Sequence, residues 1–274
     1  MSASARQGGW DLYESGNRDA EHTVLLLAGA MVTGAAYEDL IAEPALGDAS
    51  IRVVAATVPG FGRTARPSDL SMENYARMAS ELAANLGADA VLGHSLGANV
   101  ALEMAAGDGY AGPLILVSPS FSRHDEPGLP RAFDRLASVF GRLPWSVALA
   151  LVGKAVKLDG VTPERRDQIV ADFKNNDARF LAESYRRSIE YLDRYGSVVP
   201  RLCQSGVRAL VVFAEHDDVK LSKQERSGLE SCPRVVLRTL PDAGHMAPME
   251  RPSLIAELIV ETFAADGWAL QQAA

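Results

Sequence analysis

The sequence predicts an α/β fold with a mainly parallel central sheet, interrupted by an all-helical insertion. Three observations lead there. Short, nearly pure apolar runs recur along the chain, helical patterns lie between them, and from about Ser120 to Pro200 the runs vanish while helical patterns continue.

The first strong run, Thr23 to Ala28, ends in Gly29. The others are Ile51 to Ala56, Ala90 to Leu92 (running into Gly93), Pro113 to Ser118, Arg208 to Ala214 and Arg234 to Leu240. A strand with one wet face would alternate apolar and polar residues, so these runs fit strands buried on both faces of a parallel sheet. A weaker strand signal lies around Trp10 to Glu14. Between the runs, Tyr75 to Leu86 sets Met78, Leu82 and Leu86 on one helix face. Leu96 to Ala106 is rich in the good helix formers Ala, Leu and Met. Ser253 to Phe263 is amphipathic and follows Pro252.

The insertion opens on the polar segment Arg123 to Gly128. Helices are predicted over Leu129 to Leu143, Trp145 to Lys157, Pro163 to Asn175 and Ala178 to Tyr195. Thr162-Pro163 supplies a hydroxyl N-cap and a first-turn proline. The chain thus divides into a first core part over 1–120, a helical segment over 121–200 and a second core part over 201–274.

A chain of 274 residues, 47% hydrophobic, can bury a large core. The formal net charge of −8, without any Lys/Arg cluster, argues against nucleic acid or an anionic membrane as partner. No apolar run reaches the roughly 20 residues needed to span a bilayer, and the N-terminus lacks the apolar region of a secretory signal. The two cysteines, Cys203 and Cys232, have no metal-ligand spacing and read as ordinary thiols of a reducing compartment, with a disulfide between them as the alternative. These features lead us to expect a cytoplasmic protein; the further expectations are a small-molecule partner, no cofactor or metal, and a monomer or homodimer, a choice the sequence leaves open.

The chemistry centres on Gly93-His94-Ser95-Leu96-Gly97, a Gly-x-Ser-x-Gly motif between a strand run and a helix pattern. A serine there sits on a sharp turn that lifts its hydroxyl above the sheet edge. Serine is a weak nucleophile at neutral pH and needs a base. Of the five histidines, His245 is the candidate, because it follows the sixth run and so shares the carboxyl edge of the sheet with Ser95. His94 reads as a packing residue pointing away from the Ser95 hydroxyl, His22 as a surface residue, and His124 as a possible substrate contact at the start of the insertion. The acid that orients the base is sought after the fifth run, in Glu215-His216-Asp217-Asp218, with Asp217 first and Asp218 as the alternative. An oxyanion hole needs two N–H donors: Leu96, the residue after the nucleophile, and one from Ala28-Gly29-Ala30-Met31, with Ala30 ahead of Met31.

The set resembles the cap-bearing α/β-hydrolase superfamily over nearly the whole chain. Leu25 to Ala30 is similar to its strand and oxyanion loop, and Val58-Pro59-Gly60-Phe61-Gly62 to its second glycine-rich turn. Ala214 to Asp217 resembles its acid turn, and Gly244-His245 with Glu250-Arg251-Pro252 its histidine loop. The resemblance implies that the helical insertion is a cap over the active site. The family usually carries His where Ala28 stands and Asp at or near Thr57. Related epoxide hydrolases and haloalkane dehalogenases carry Asp where Ser95 stands. The expected activity is hydrolysis of an ester, thioester or lactone through an acyl-enzyme, in a mainly apolar pocket; Trp145, Phe133 and Phe140 are candidates for its wall, although packing between cap and core is the expected role of most such residues. Alternatives are carbon–carbon bond hydrolysis, an accessory biosynthetic step with the same residues, or ligand binding without catalysis.

Overall fold

The computed structural model of the chain describes residues 3–15, 18–126, 132 and 143–264. Among the described residues eight strands form one sheet: β1 (Ala3–Gln7), β2 (Trp10–Ser15), β3 (His22–Leu27), β4 (Ile51–Thr57), β5 (Ala90–His94), β6 (Leu114–Val117), β7 (Ala209–Ala214) and β8 (Val235–Leu240). Their spatial order is β1-β2-β4-β3-β5-β6-β7-β8. β2 runs antiparallel to β1 and β4, and every other pairing is parallel.

Each central strand feeds both faces of the sheet, because successive side chains point to opposite sides. Leu25, Leu27, Val54, Ala56, Val91 and Leu116 enter one apolar cluster. Val24, Leu26, Val53, Ala55, Leu92 and Ile115 enter the other. All of these are 0–1% exposed, which is why the runs are continuous rather than alternating.

Helices cover the two faces. The first cluster is closed by α3 (Met72–Leu86) and α4 (Leu96–Ala106), the second by α11 (Pro252–Phe263) with the short α1 (Glu38–Ile41) and α2 (Pro44–Asp48). The Ser71 hydroxyl caps α3 by accepting from Asn74 N–H, and Gly87 ends it in the left-handed region that glycine adopts without strain.

Between β6 and β7 the chain forms α5 (Leu143–Ala155), α6 (Pro163–Lys174), α7 (Ala178–Tyr195) and α8 (Val199–Ser205), with no strand among the described residues of this stretch. Thr162 and Asp177 cap α6 and α7 by accepting from Arg165 and Phe180 N–H. These helices are seated on the core. Phe180 packs edge-on against Phe61 and its ring covers Gly60, where a Cβ would lie only 2.1 Å from the ring. The helix expected over Leu129 to Leu143, with Phe133 and Phe140, lies almost wholly outside the described residues. The helices α9 (Lys223–Glu230) and α10 (Ala247–Glu250) flank β8 along the chain.

One expectation is corrected. Cys203 in α8 and Cys232 before β8 are not separate thiols but a disulfide, 29 residues apart in sequence with Cα atoms 5.6 Å apart. That separation matches disulfide geometry, and it arises from the packing of α8 beside the α9–β8 turn, which no local spacing encodes. No helix among the described residues is long and apolar enough to cross a membrane.

Candidate active site

Ser95 occupies the turn between β5 and α4, at φ 53° and ψ −118°. Such a backbone costs a non-glycine residue about 1–3 kcal/mol and persists only where its surroundings enforce it. Here Ser95 N–H donates to Val117 O (2.9 Å), and Ser95 O accepts from Ala98 and Asn99 N–H. The flanking glycines make the turn sterically possible. A Cβ on Gly97 would lie 2.1 Å from Leu27 O, and one on Gly93 would lie 2.3 Å from Gly97 O. Strand and helix approach too closely for any side chain at either position.

The loops after β7 and β8 bring two partners to this turn. His245 Nε2 lies 3.1 Å from Ser95 Oγ, and His245 Nδ1 lies 2.9 Å from Asp217 Oδ1. A carboxylate only accepts, so Nδ1 carries the proton and Nε2 is free to accept from the serine hydroxyl. Asp217 is buried and held on both oxygens: Oδ1 also accepts from Val219 N–H (2.9 Å), and Oδ2 accepts from the Ser118 hydroxyl. Asp218 is exposed, and no hydrogen bond joins it to His245. Burial alone would raise the Asp217 pKa, but His245, Ser118 and Val219 outweigh it and hold the carboxyl below its ordinary value. Burial opposes the His245 imidazolium, yet the hydrogen bond and charge of Asp217, aided by Glu126 and Asp218, raise its pKa above 6.5.

The His245 loop is itself anchored. Buried Glu250 accepts from Gly244 N–H (2.6 Å) and from Asp159 N–H (3.3 Å), while Arg251 donates to the Asp242 carbonyl. His216 N–H donates to Ala243 O, tying the loops after β7 and β8 together.

The loop after β3 faces Ser95 across a cavity lined by Ala30, Ser95 and Leu96. Leu96 is the first residue of α4, so its N–H has no acceptor within the helix. Met31, at φ 71°, turns its carbonyl to Asn176 Nδ2 (2.7 Å), and Asn176 Oδ1 accepts from Gly62 N–H. At the position where the resemblance leads one to expect Asp, Thr57 is buried and its hydroxyl accepts from Gly34 N–H.

Phe61, Met72, Leu181 and Leu192 form the apolar part of the cavity wall, and Asn99, Ser120, Glu126, Ser184 and Ser188 the polar part. Asn99 bonds the Ser120 backbone through both amide groups, and the Ser120 hydroxyl donates to Glu126 (2.6 Å). Trp145 is buried against Tyr185 rather than in the wall. His124 is exposed and does not line the cavity, and His22 begins β3, stacked on Phe263. Sequence reasoning missed Ser118, Asn99 and Tyr37, each bonded to a partner distant in the chain, and Glu126, which bonds Ser120 six residues away.

A profile of the alpha/beta hydrolase family matches residues 24–258. No curated protein sequence matches the chain. Solved structures share its fold at low identity. A thioesterase domain from the curacin biosynthetic pathway is 18% identical with a TM-score of 0.68, covering 95% of this chain and 99% of that one. An esterase from Exiguobacterium antarcticum is 17% identical with a TM-score of 0.74, covering 95% and 98%. Epoxide hydrolase A from Mycobacterium thermoresistibile is 17% identical with a TM-score of 0.67, covering 96% and 98%.

Proposed function

Because the chain belongs to the alpha/beta hydrolase family, we propose that it is a serine hydrolase that cleaves a small carboxylic ester, thioester or lactone through an acyl-enzyme on Ser95. The observation that carries this reading is the unbroken row Ser95–His245–Asp217, hydrogen-bonded at 3.1 and 2.9 Å, beside a partly apolar cavity.

In this mechanism His245 Nε2 takes the Ser95 proton as Oγ attacks the substrate carbonyl. Asp217 keeps the proton of the neutral ring on Nδ1 and stabilises the imidazolium that forms. The Ala30 and Leu96 N–H groups hold the oxyanion, a role in which one donor is worth about 10²–10³ in rate. The imidazolium then protonates the leaving alkoxide or thiolate. Water, deprotonated by His245, attacks the acyl-enzyme and releases the acid and free Ser95.

The acyl part packs against Phe61, Met72, Leu181 and Leu192, while the hydroxyls of Ser184 and Ser188 and the Glu126 carboxylate offer polar contacts. The reading of residues 121–200 as a cap rests on α7, whose Leu181, Ser184, Ser188 and Leu192 face Ser95 across the cavity.

The test is a panel of p-nitrophenyl esters and acyl thioesters of graded chain length, run on the wild type and Ser95→Ala. Turnover that depends on Ser95 and falls off at one chain length supports the reading. Turnover by Ser95→Ala at the wild-type rate refutes it.

A further inference from the structure

His94 and Tyr37 have no part in the mechanism above, yet both are buried polar side chains at its centre, 1% and 0% exposed. The Tyr37 hydroxyl lies 2.8 Å from His94 Nδ1 and accepts from Gly29 N–H at 2.9 Å. His94 Nε2 lies 2.8 Å from the backbone carbonyl of His245.

The proton positions follow from the partners. A carbonyl only accepts, so His94 carries its proton on Nε2, and the bare Nδ1 must accept from the Tyr37 hydroxyl. The hydroxyl's lone pair is then what receives Gly29 N–H. One directed chain results: Gly29 N–H to Tyr37, Tyr37 to His94, and His94 to His245 O. It joins the backbone of the loop that bears Ala30, the residue preceding Ser95, and the backbone of the base. Gly29 permits the close approach, since a Cβ there would stand 3.1 Å from His94 Nδ1. Burial pushes the His94 pKa down to about 3, so the ring stays neutral and the chain keeps its direction across the working pH range.

We propose that Tyr37 and His94 are positioning residues that set the oxyanion loop and the His245 backbone against each other across the Ser95 turn. This rests on the serine-hydrolase reading. Tyr37 is far in sequence from Ser95 and does not line the cavity beside it, so its effect must run through these backbone contacts. Breaking the Tyr37–His94 link leaves the Ala30 donor in place but less well held. The loss should therefore fall short of removing a donor outright, which costs about 10²–10³.

The test uses Tyr37→Phe, His94→Gln and the double variant, with fluorophosphonate titration to count competent sites. A glutamine can still donate to His245 O but cannot supply the acceptor at Nδ1. Each single variant should lower kcat about tenfold per titrated site with KM changed less than twofold. The double should be no worse than the weaker single, because both remove one shared contact. Wild-type kcat in Tyr37→Phe, or losses that multiply to about a hundredfold in the double, overturns the proposal. Independently of any variant, ¹⁵N spectra of the wild type should show His94 protonated on Nε2 alone from pH 5 to 9. A proton on Nδ1, or an imidazolium in that range, also overturns it. Full turnover by Ser95→Ala would instead remove the serine-hydrolase reading, so the two failures are distinguishable.

Discussion

Replacing Asp217 with Asn isolates the charge behind His245, the base of the proposed mechanism. Oδ1 accepts from both His245 Nδ1–H and Val219 N–H, whereas Oδ2 faces the Ser118 hydroxyl, which can rotate to accept instead. Two N–H donors therefore orient the new amide with its oxygen toward His245 and its NH₂ toward Ser118. The imidazole keeps its proton on Nδ1, and only the negative charge is lost. With the imidazolium and carboxylate centres about 4 Å apart, their attraction at an effective dielectric of 20 is about 4 kcal/mol. That corresponds to roughly 10³ in rate. Asp217→Asn should thus lower kcat about a thousandfold while leaving the protein folded.

The pH profile gives a second readout. In the proposed mechanism His245 must be neutral to act, so activity should be lost as pH falls through its pKa, which is raised above 6.5 in the wild type. Without the Asp217 charge, burial dominates and the acid limb of kcat/KM should move to lower pH. A stopped-flow burst assay with a p-nitrophenyl ester between pH 5 and 9 measures both effects. Less than a tenfold loss together with an unmoved acid limb would refute the reasoning.

Two predictions concern stability. The Cys203–Cys232 disulfide closes a loop of about 30 residues, worth about 3–4 kcal/mol in the chain-entropy account and roughly 10 °C in Tm for a chain of this size. Tm with and without reductant, and in Cys203→Ser, checks this, and an unchanged Tm contradicts it. Asp125 is buried, accepts from Phe121 and Ser122 N–H, and lies beside Glu225; burial and then Glu225 raise its pKa to about 7. A carboxyl raised in the folded state stabilises fully below its unfolded pKa near 4 and loses that contribution as pH rises through 7. Asp125→Asn, which keeps an acceptor for both N–H groups, should melt several degrees above the wild type at pH 8 and at the same temperature at pH 4.

Much of the fold is visible in the residues because burial on both faces writes itself as continuous apolar sequence. The six strong runs correspond to β3 to β8 within a residue or two, and the weak signal at Trp10 to Glu14 corresponds to β2. β1, Ala-Ser-Ala-Arg-Gln, is an edge strand paired on one side only and carries no such signature. α9 was equally hidden, since only Glu225 and Leu229 of its eight residues are buried.

For the candidate site, chain order and position after strands locate Ser95, Asp217 and His245. What links them further is not local. Ser118 reaches Asp217 across 99 residues, Tyr37 reaches His94 across 57, and Cys203 meets Cys232 across 29. Such pairings depend on how loops after different strands converge at one sheet edge. Short-range pattern carries no trace of that convergence.

The proposed mechanism requires Ser95 to be the group that is acylated. A fluorophosphonate probe followed by peptide mass spectrometry tests this directly. One adduct per chain is expected, on the peptide carrying Ser95, abolished in Ser95→Ala and slowed about a thousandfold in Asp217→Asn. An adduct on another residue, or equal labelling of Ser95→Ala, would contradict it.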